Sequence, residues 1–228
     1  MRRVTSPERR AVALAGALVV LAAWNILVRP SVPSSGDRVG AGLLVAGLVV
    51  ALGFWAGLDA ADHGLARSRL ASGLRWGGAA FGLVVLVILV GVALPTTHAS
   101  FEVSRADVGT GDLLGQLLVT IPVGTVVVEE LVFRGTLLAL LLTLLPTVPA
   151  VLVCSAVFGL WHVDGVLRST GGSALHVAGA VVGTFVATLA AGVAFCWLRL
   201  RSGSLAAPAL AHLATNTVAL AAAWVVVH

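Results

Sequence analysis

The sequence predicts an all-α protein, a polytopic transmembrane helical bundle of seven to eight helices with a polar site inside the membrane. Apolar residues make up 59% of the 228-residue chain and charged residues only 11%. The mean hydropathy is +1.05, which excludes an ordinary soluble domain. Short polar breaks divide the chain into runs of about the 20 residues that a helix needs to cross a bilayer.

Each apolar run is predicted to be a helix. The runs lie at about 11–28, 39–58, 76–94, 113–145, 147–163, 174–198 and 205–227. The fourth run is too long for one simple span, so we expect Pro122 to bend it or a short helix to lead into the spanning one. Continuous apolar runs exclude an outer-membrane barrel, whose strands alternate in polarity. Small residues, including Gly179-x-x-x-Gly183 and the 206–223 region, predict close helix packing.

The net charge of +4 is better explained by membrane topology than by nucleic acid, for which we predict no role. All fourteen basic residues are arginine. With the N-terminus in the cytoplasm, nine arginines lie inside, four lie outside and one lies in the membrane, as the positive-inside rule expects. The inside set is Arg2, Arg3, Arg9, Arg10, Arg67, Arg69, Arg75, Arg199 and Arg201, and the outside set is Arg29, Arg38, Arg105 and Arg168. Compact length and an arginine- and alanine-rich composition favour a bacterial plasma membrane, with the lipid bilayer as a partner.

The beginning of the chain also resembles a signal peptide, because Met-Arg-Arg precedes an apolar run with small residues at Ala22-Ala23. That run extends to Val28 and ends at Arg29-Pro30, which is long for a signal core, so we favour a spanning first helix. No linker or repeat divides the chain. A single membrane domain, 1–228, is therefore predicted, with helices that carry no motif in 1–110 and a catalytic, motif-bearing core in 111–228.

Several polar residues and thiols are predicted to have no special role. Cys154 and Cys196 lie in apolar runs without metal or redox spacing, so we expect buried thiols. The polar loop at 59–75 is predicted to be a solvated cytoplasmic connection. The histidines at segment ends and in loops are expected on the surface, namely His63, His98 and His228, whereas His176 at the start of the sixth run has no assigned role.

Three charged residues interrupt the fourth apolar run, in the pattern Glu129-Glu130-x-x-x-Arg134. Three charges at the centre of a membrane helix oppose insertion by roughly 7 to 10 kcal/mol before partners are counted. Glu130 and Arg134 are four residues apart and share a helix face, so a self-neutralising ion pair is one interpretation. Glu129 leaves the helix about 100° away from Glu130, which predicts a different partner and a different role.

Two later helices carry polar groups with the same four-residue spacing, Phe158-x-x-x-His162 and His212-x-x-x-Asn216. A lone intramembrane histidine is usually a hydrogen-bonded helix contact. Together with Glu129, however, two imidazoles and an amide are the parts needed to activate water and stabilise an oxyanion. The His-Glu-x-x-His zinc signature, the Gly-x-Ser-x-Gly serine elbow and the Gly-x-Gly-Asp aspartyl pattern are absent from the sequence.

These three motifs, in this order on separate helices, resemble the CAAX protease and bacteriocin-processing family, also called the Abi family. The type II prenyl-protein endopeptidase is its best-known branch. The resemblance covers about residues 113–227 and leaves the first three helices without a motif. It implies an intramembrane endopeptidase whose partner is a protein or peptide substrate at the membrane, without identifying that substrate.

The resemblance also implies roles for six catalytic-site residues. Glu129 would activate the attacking water with His162 as its polarising partner, and His212 and Asn216 would hold the oxyanion. Glu130 and Arg134 would support the site by orienting the helix. The family has been described both as metal-dependent and as metal-free. We favour no cofactor, because a tetrahedral zinc site more often recruits a third strong ligand than an amide oxygen; in the zinc alternative, Glu129, His162 and His212 would be the ligands.

Two other functional classes remain open from the sequence. Buried Glu, Arg and His side chains also serve as proton relays or ion paths in transporters, although here they gather on three helices of one half instead of extending through the bilayer. A non-catalytic scaffold or immunity protein on the same fold is the second alternative. The intact set of polar site residues favours the protease.

Overall fold

The computed structural model describes residues 6–32, 34–103 and 106–228, and these residues form a polytopic helical bundle. Helix accounts for 86% of the chain, and no strand occurs in the described ranges. The helices are α1 (Pro7–Ser31), α2 (Ser35–Trp55), α3 (Arg67–Ala93), the short α4 (Pro95–His98), α5 (110–144), α6 (Thr147–Ser169), α7 (Ala174–Ser202) and α8 (Ala206–Val227). The predicted all-α bundle is confirmed.

Six of these helices are long and apolar enough to cross a membrane, namely all except α4 and α5. Two predicted boundaries were wrong. The third helix begins at Arg67 instead of near residue 76, and α6 continues to Ser169 instead of ending near 163. Arginine is a good helix former, so the polar ends of a span stay helical after the apolar run has stopped. An apolar run thus locates the membrane-crossing part of a helix and misses its ends.

The fourth apolar run forms one uninterrupted helix, α5, with no separate leading helix. Pro122 lies inside a stretch of wide π-type turns, Gln116–Val127, and a second such stretch covers Glu130–Leu137. Proline cannot donate the ordinary helical hydrogen bond, and wide turns accommodate that loss without ending the helix. Residues 132–141 are buried on every side, which makes this half of α5 the centre of the bundle.

Close helix packing occurs at different glycines from those predicted. A Cβ at Gly159 would meet Phe185 at 2.9 Å, and one at Gly192 would meet Ser155 at 2.9 Å, so α6 and α7 touch at these points. Gly179 and Gly183 have no such neighbour within 4 Å, so the expectation that this motif packs helices was wrong. The small residues of α8 do pack, because Ala207, Ala211, Ala214 and Ala223 are buried.

The polar loop between α2 and α3 is less solvated than predicted. His63 is completely buried and stacks on Phe54 with ring centroids 4.5 Å apart, so its predicted surface position was wrong. Arg199 of α7 donates to the carbonyl oxygens of Ala61 and Asp62 at 3.3 and 2.8 Å. Backbone carbonyls of a tight loop need donors, and the buried guanidinium supplies them.

The antiparallel helices give the bundle two ends, which we call the loop face and the cavity face. The loop face carries the α2–α3 loop and the α7–α8 turn, which are joined by the hydrogen bond from Leu205 N to Gly64 O at 2.9 Å. The cavity face carries the α1–α2 connection and the C-terminal end of α6. Arg2, Arg3 and Arg105 of the predicted topology lie outside the described residues.

Candidate active site

The two carboxylates of α5 lie at the start of its second π-type stretch and have different hydrogen-bond partners, as their angular offset predicts, although both face His212. Glu130 and Arg134 form a buried ion pair, with Arg134 NH1 donating to Glu130 Oε1 at 3.1 Å. Both side chains are at most 2% exposed. Four-residue spacing brings them together, and burial makes each charge dependent on the other.

Aromatic rings surround the Arg134 guanidinium. Its central carbon lies 4.0 Å from the ring centroid of Phe158, 4.9 Å from that of Phe195 and 5.9 Å from that of Phe133. These rings come from α6, α7 and α5. The electron-rich faces of aromatic rings attract a cation in a dry interior, so three helices close on one charge. Phe158, the first residue of the second motif, therefore contacts both the Arg134 guanidinium and the ring of His162.

His212 of α8 connects the charge pair to Glu129. Its Nδ1 lies 2.8 Å from Glu130 Oε1, and its ring stacks on Phe195 at 5.1 Å. An ionised carboxylate only accepts hydrogen bonds, so Nδ1 carries the hydrogen of this bond. Nε2 then faces the other carboxylate, 3.8 Å from Glu129 Oε2. Glu130 consequently orients an imidazole as well as neutralising Arg134, which the ion-pair interpretation alone did not include.

His162 of α6 approaches the same oxygen from another side. Its Nδ1 lies 2.9 Å from the backbone oxygen of Phe158, and its Nε2 lies 3.8 Å from Glu129 Oε2. The carbonyl can only accept, so this ring also has its hydrogen at Nδ1 and directs Nε2 towards Glu129. His162 is 29% exposed, whereas His212 is 4% exposed. Two imidazole nitrogens thus face one carboxylate oxygen, and one ring reaches solvent.

From its place beside His162, the sequence predicts that Trp161 either shapes a dry wall of the site or simply packs. The structure adds a hydrogen bond that the sequence did not reveal, in which its indole Nε1 donates to Glu129 Oε1 at 3.0 Å. Asn25 in the first helix was also missed. It is buried, and its Nδ2 donates to the backbone oxygen of Trp161 at 3.0 Å. The signal that could have found Asn25 is the presence of one amide in an otherwise apolar run. Together these contacts fix the position of one Glu129 oxygen from two helices.

Glu129 also forms the inner end of a cavity of about 200 Å³ that opens on the cavity face. The walls include Trp24 of α1, Thr125 of α5 and Trp161 of α6. Glu129 is 7% exposed, and its Oε2 has no hydrogen-bond partner among the described residues. The oxygen that faces both imidazoles therefore keeps an unused lone pair, and it belongs to a side chain that lines the cavity.

Residues 112–218 match a family model described as type II CAAX prenyl endopeptidase, Rce1-like. This region belongs to the CAAX protease family. No curated protein and no solved structure matches the chain. The matched segment contains all three motifs, and the geometry above brings five of the six predicted site residues of this Rce1-like chain into one connected cluster. At the level of the family, the match supports a CAAX-type intramembrane protease, and the six apolar helices support an integral membrane protein.

The sixth predicted site residue, Asn216, lies one turn beyond His212 in α8 and is half-buried. The α-helix ends at Leu213 and a π-type turn covers Ala214–Val218. Its amide makes no hydrogen bond to the other five site residues in the described structure. His176 begins α7 on the surface, where its backbone N–H donates to the Ser173 side chain at 3.3 Å.

Three side chains of the site carry donor atoms of the kinds that bind zinc in proteins. Glu129 Oε2 and the Nε2 atoms of His162 and His212 are oxygen and nitrogen donors of the type that binds zinc. However, within the described ranges no group of three or more His, Cys, Asp or Glu side chains is arranged to hold a metal ion. Chelation followed by zinc addition tests whether the protein depends on a metal.

Proposed function

We propose that the protein is an endopeptidase that hydrolyses a peptide bond within the membrane, using a water molecule that Glu129 activates. One observation carries the proposal. Glu129 lines a cavity, its Oε1 is held by Trp161, and its Oε2 is buried without a hydrogen-bond partner and faces two imidazole nitrogens. A general base needs a fixed position and an unoccupied lone pair within reach of the reacting proton, and Oε2 has both.

In the proposed reaction, water adds across the amide bond. Glu129 Oε2 takes one proton while the water oxygen bonds to the carbonyl carbon, giving a tetrahedral oxyanion. The same carboxyl group then passes that proton to the amide nitrogen, the C–N bond breaks, and the products are a carboxylic acid and an amine. His162 Nε2 lies 3.8 Å from Glu129 Oε2, so one water molecule would reach both atoms. The lone pair of His162 Nε2 would accept a hydrogen bond from that water and polarise it.

His212 and Asn216 are proposed to stabilise the oxyanion. The neutral ring of His212 has its hydrogen at Nδ1, on Glu130, and offers only a lone pair at Nε2. The doubly protonated ring carries a second N–H at Nε2 and would donate to the oxyanion. Asn216 would add an amide N–H from the next turn of α8.

The substrate is proposed to be a membrane protein or a peptide at the membrane, in a bacterial plasma membrane with the N-terminus of this chain in the cytoplasm. The arginine distribution supports this orientation. The cavity face would then be extracytoplasmic, because Arg29 and Arg38 lie there. Substrate would consequently reach Glu129 from outside the cell or from within the bilayer.

Purified protein with quenched fluorescent peptides tests the protease directly. Glu129→Gln keeps the shape and the acceptor for Trp161 but loses the base, so we expect the rate to fall by about 10² to 10⁴. The matched control is Glu102→Gln, because Glu102 is an exposed carboxylate that follows α4 in the chain. In ¹⁸O-labelled water, the new carboxyl group should gain one labelled oxygen. Equal rates for wild type and Glu129→Gln would end the proposed mechanism.

The proposed orientation is tested by labelling single cysteines in intact cells, in a variant whose natural cysteines are replaced. Ser68 lies at the beginning of α3 and Ser100 lies just beyond its other end. A membrane-impermeant reagent should label a cysteine at 100 and spare one at 68. The reverse pattern would place the cavity face in the cytoplasm while leaving the protease proposal intact.

A further inference from the structure

Four arginines at the loop face have exposed side chains, and three of them lie in the first turns of α3 while the fourth lies at the end of α7. They are Arg67, Arg69, Arg75 and Arg201, which we call the arginine patch. Within the described residues, none of these four side chains forms an ion pair or a hydrogen bond. By contrast, Arg168 on the cavity face is paired with Asp164. The loop face therefore carries guanidinium groups whose donors are all available to a ligand.

Contacts between α3 and α7 bring arginines of both helices together. The central carbon of the Arg201 guanidinium lies 5.6 Å from the ring centroid of Trp76. A Cβ at Gly203, in the turn after α7, would meet Arg69 Cδ at 3.3 Å, so the stem of Arg69 lies against that turn. Arg75 directly precedes Trp76 in the chain. The arginine patch therefore spans the ends of two packed helices instead of following one helix.

The two helices that carry the arginine patch supply no negative charge to it. Neither α3 nor α7 contains an Asp or a Glu, and neither does the turn that joins α7 to α8. The acidic residues of the loop that leads into α3 are Asp59 and Asp62, and each accepts a hydrogen bond from the backbone N–H of the other, at 2.8 and 2.9 Å. Four like charges without an acidic partner create a positive potential that attracts an anionic ligand.

Exposed apolar side chains continue from the arginine patch along the same two helices. Leu74 of α3 and Trp197 of α7 are each 52% exposed. Trp197 precedes Arg201 by four residues, so both side chains lie on one face of α7. The rings of Trp197 and Trp76 meet edge to face with centroids 5.4 Å apart. Tryptophan concentrates at the level of lipid headgroups because its ring is apolar and its N–H is polar, so this pair indicates the depth of the membrane surface.

A depression of about 200 Å³ lies beside the arginine patch. Arg67 lines it together with Leu65, Leu70 and the first residue of α8, Ala206. Its surface thus combines a guanidinium group with apolar side chains. A ligand that suits such a surface has an anionic group next to hydrocarbon, and a phospholipid has both.

We propose that the arginine patch binds the headgroup phosphate of an anionic phospholipid, whose acyl chains lie along Leu74 and Trp197. Arginine is well suited to this role because its planar guanidinium donates two parallel hydrogen bonds to one phosphate. A lipid is favoured over a soluble anion because the charged and apolar surfaces are continuous on the same two helices. This inference is independent of the proposed proteolysis, since the arginine patch and the Glu129 cavity lie at opposite ends of the bundle.

Binding is measured on the purified full-length protein in detergent, by native mass spectrometry during titration with phosphatidylglycerol or phosphatidylcholine. These two lipids are used with identical acyl chains, so they differ in headgroup and net charge. An arginine near a membrane surface contributes about a factor of five to the binding of anionic lipid. Kd for phosphatidylglycerol should therefore be lower than Kd for phosphatidylcholine by at least about tenfold. Equal Kd values for the two lipids would overturn the proposal.

Single variants locate the binding site. Arg69→Gln and Arg201→Gln should each raise Kd for phosphatidylglycerol by about fivefold and leave Kd for phosphatidylcholine unchanged. Arg201→Lys keeps the positive charge and should retain most of the affinity. Arg168→Gln is the matched control, because Arg168 lies on the opposite face in its own ion pair. An effect of Arg168→Gln as large as that of Arg201→Gln would overturn the assignment by showing a general response to net charge.

Competition separates a lipid from other anionic ligands. Glycerophosphoglycerol has the headgroup of phosphatidylglycerol without the acyl chains, and at equal concentration it should not displace the lipid. Displacement at equal concentration would show a site for a soluble anion. An oligoglutamate peptide that displaces the lipid equally well from the wild type, and less well from Arg201→Gln, would show a surface for an acidic protein. Either of these two results would overturn the lipid assignment.

Discussion

The region that matches the family differs from the helices before it in the charged groups that it buries. In the described residues before 112, the buried polar side chains are Asn25 and His63. The matched region buries two carboxylates, two arginines and a histidine, among other polar groups. It stabilises its charges mainly with contacts of its own, such as the ion pair of Glu130 with Arg134. This difference shows that the buried charges are concentrated in the matched half, and that the first half adds contacts around them.

The first helices complete that environment in two ways. Asn25 bonds the backbone of Trp161, which holds Glu129. Arg29, Arg38 and Trp24 line the cavity that leads to the same carboxylate. The family motifs do not include these helices, yet their residues line the same cavity as Glu129. The comparison therefore predicts that variants in the matched half change the chemical rate most, and that variants in the first half change positioning and binding.

The largest effects should come from side chains of the matched region around the base. His162→Ala removes the imidazole that faces Glu129, and we expect the cleavage rate to fall by about 10² to 10⁴. Asn216→Ala removes a proposed oxyanion donor and should cost about 10² to 10³. Single-turnover rates on purified variants check this ranking. His98→Ala, an exposed histidine beyond α3, is the control and should retain the wild-type rate.

The next effect is on stability and contrasts two pairs with the same spacing. Arg134→Ala leaves Glu130 unpaired in the interior, and we expect a loss of about 3 to 5 kcal/mol. Arg168→Ala breaks the pair with Asp164, in which Arg168 is 48% exposed, and should leave the stability almost unchanged because solvent screens the pair. Melting temperatures and folding yields in one detergent compare them. Similar losses for the two variants would show that the Glu130 pair is not energetically buried.

A smaller effect should show how strongly contacts made by the first helix influence kcat. Trp161→Phe removes the donor to Glu129 Oε1 and should lower kcat by about 10- to 100-fold, as expected for a hydrogen bond to a charged group. Asn25→Leu removes a bond between neutral groups and should lower kcat by about 2- to 10-fold. Ser31→Ala, near the end of the same helix, is the control. An unchanged kcat in Asn25→Leu would confine the first helices to binding and packing.

Metal removal should produce the smallest change. If Glu129 acts on water without a metal, protein treated with a zinc chelator should keep its cleavage rate within about twofold. Metal content is measured on the same sample, and zinc is then added back. Activity that is lost on chelation and restored by zinc would contradict the metal-free mechanism, while the protease assignment and the contrast between the two halves would stand.

The sequence alone was sufficient for the fold class, and it singled out five polar residues that the fold brings into one cluster. Continuous apolar runs predict spanning helices because a bilayer cannot satisfy an exposed backbone. Charges inside such a run must have partners, which is why Glu129, Glu130 and Arg134 were recognisable. Four-residue spacing predicted the bond between Glu130 and Arg134 because both ends lie on one helix.

Only the tertiary structure decided which groups meet across helices. The spacing of His212 and Asn216 did not reveal that His212 bonds Glu130 in another helix, or that Trp161 and Asn25 form a chain to Glu129. It also misplaced His63, which a loop position suggested was exposed and which the fold buries. Helical periodicity fixes the direction of a side chain relative to its own axis. The rotation and crossing of neighbouring helices, set by packing along the whole bundle, decide what lies in that direction.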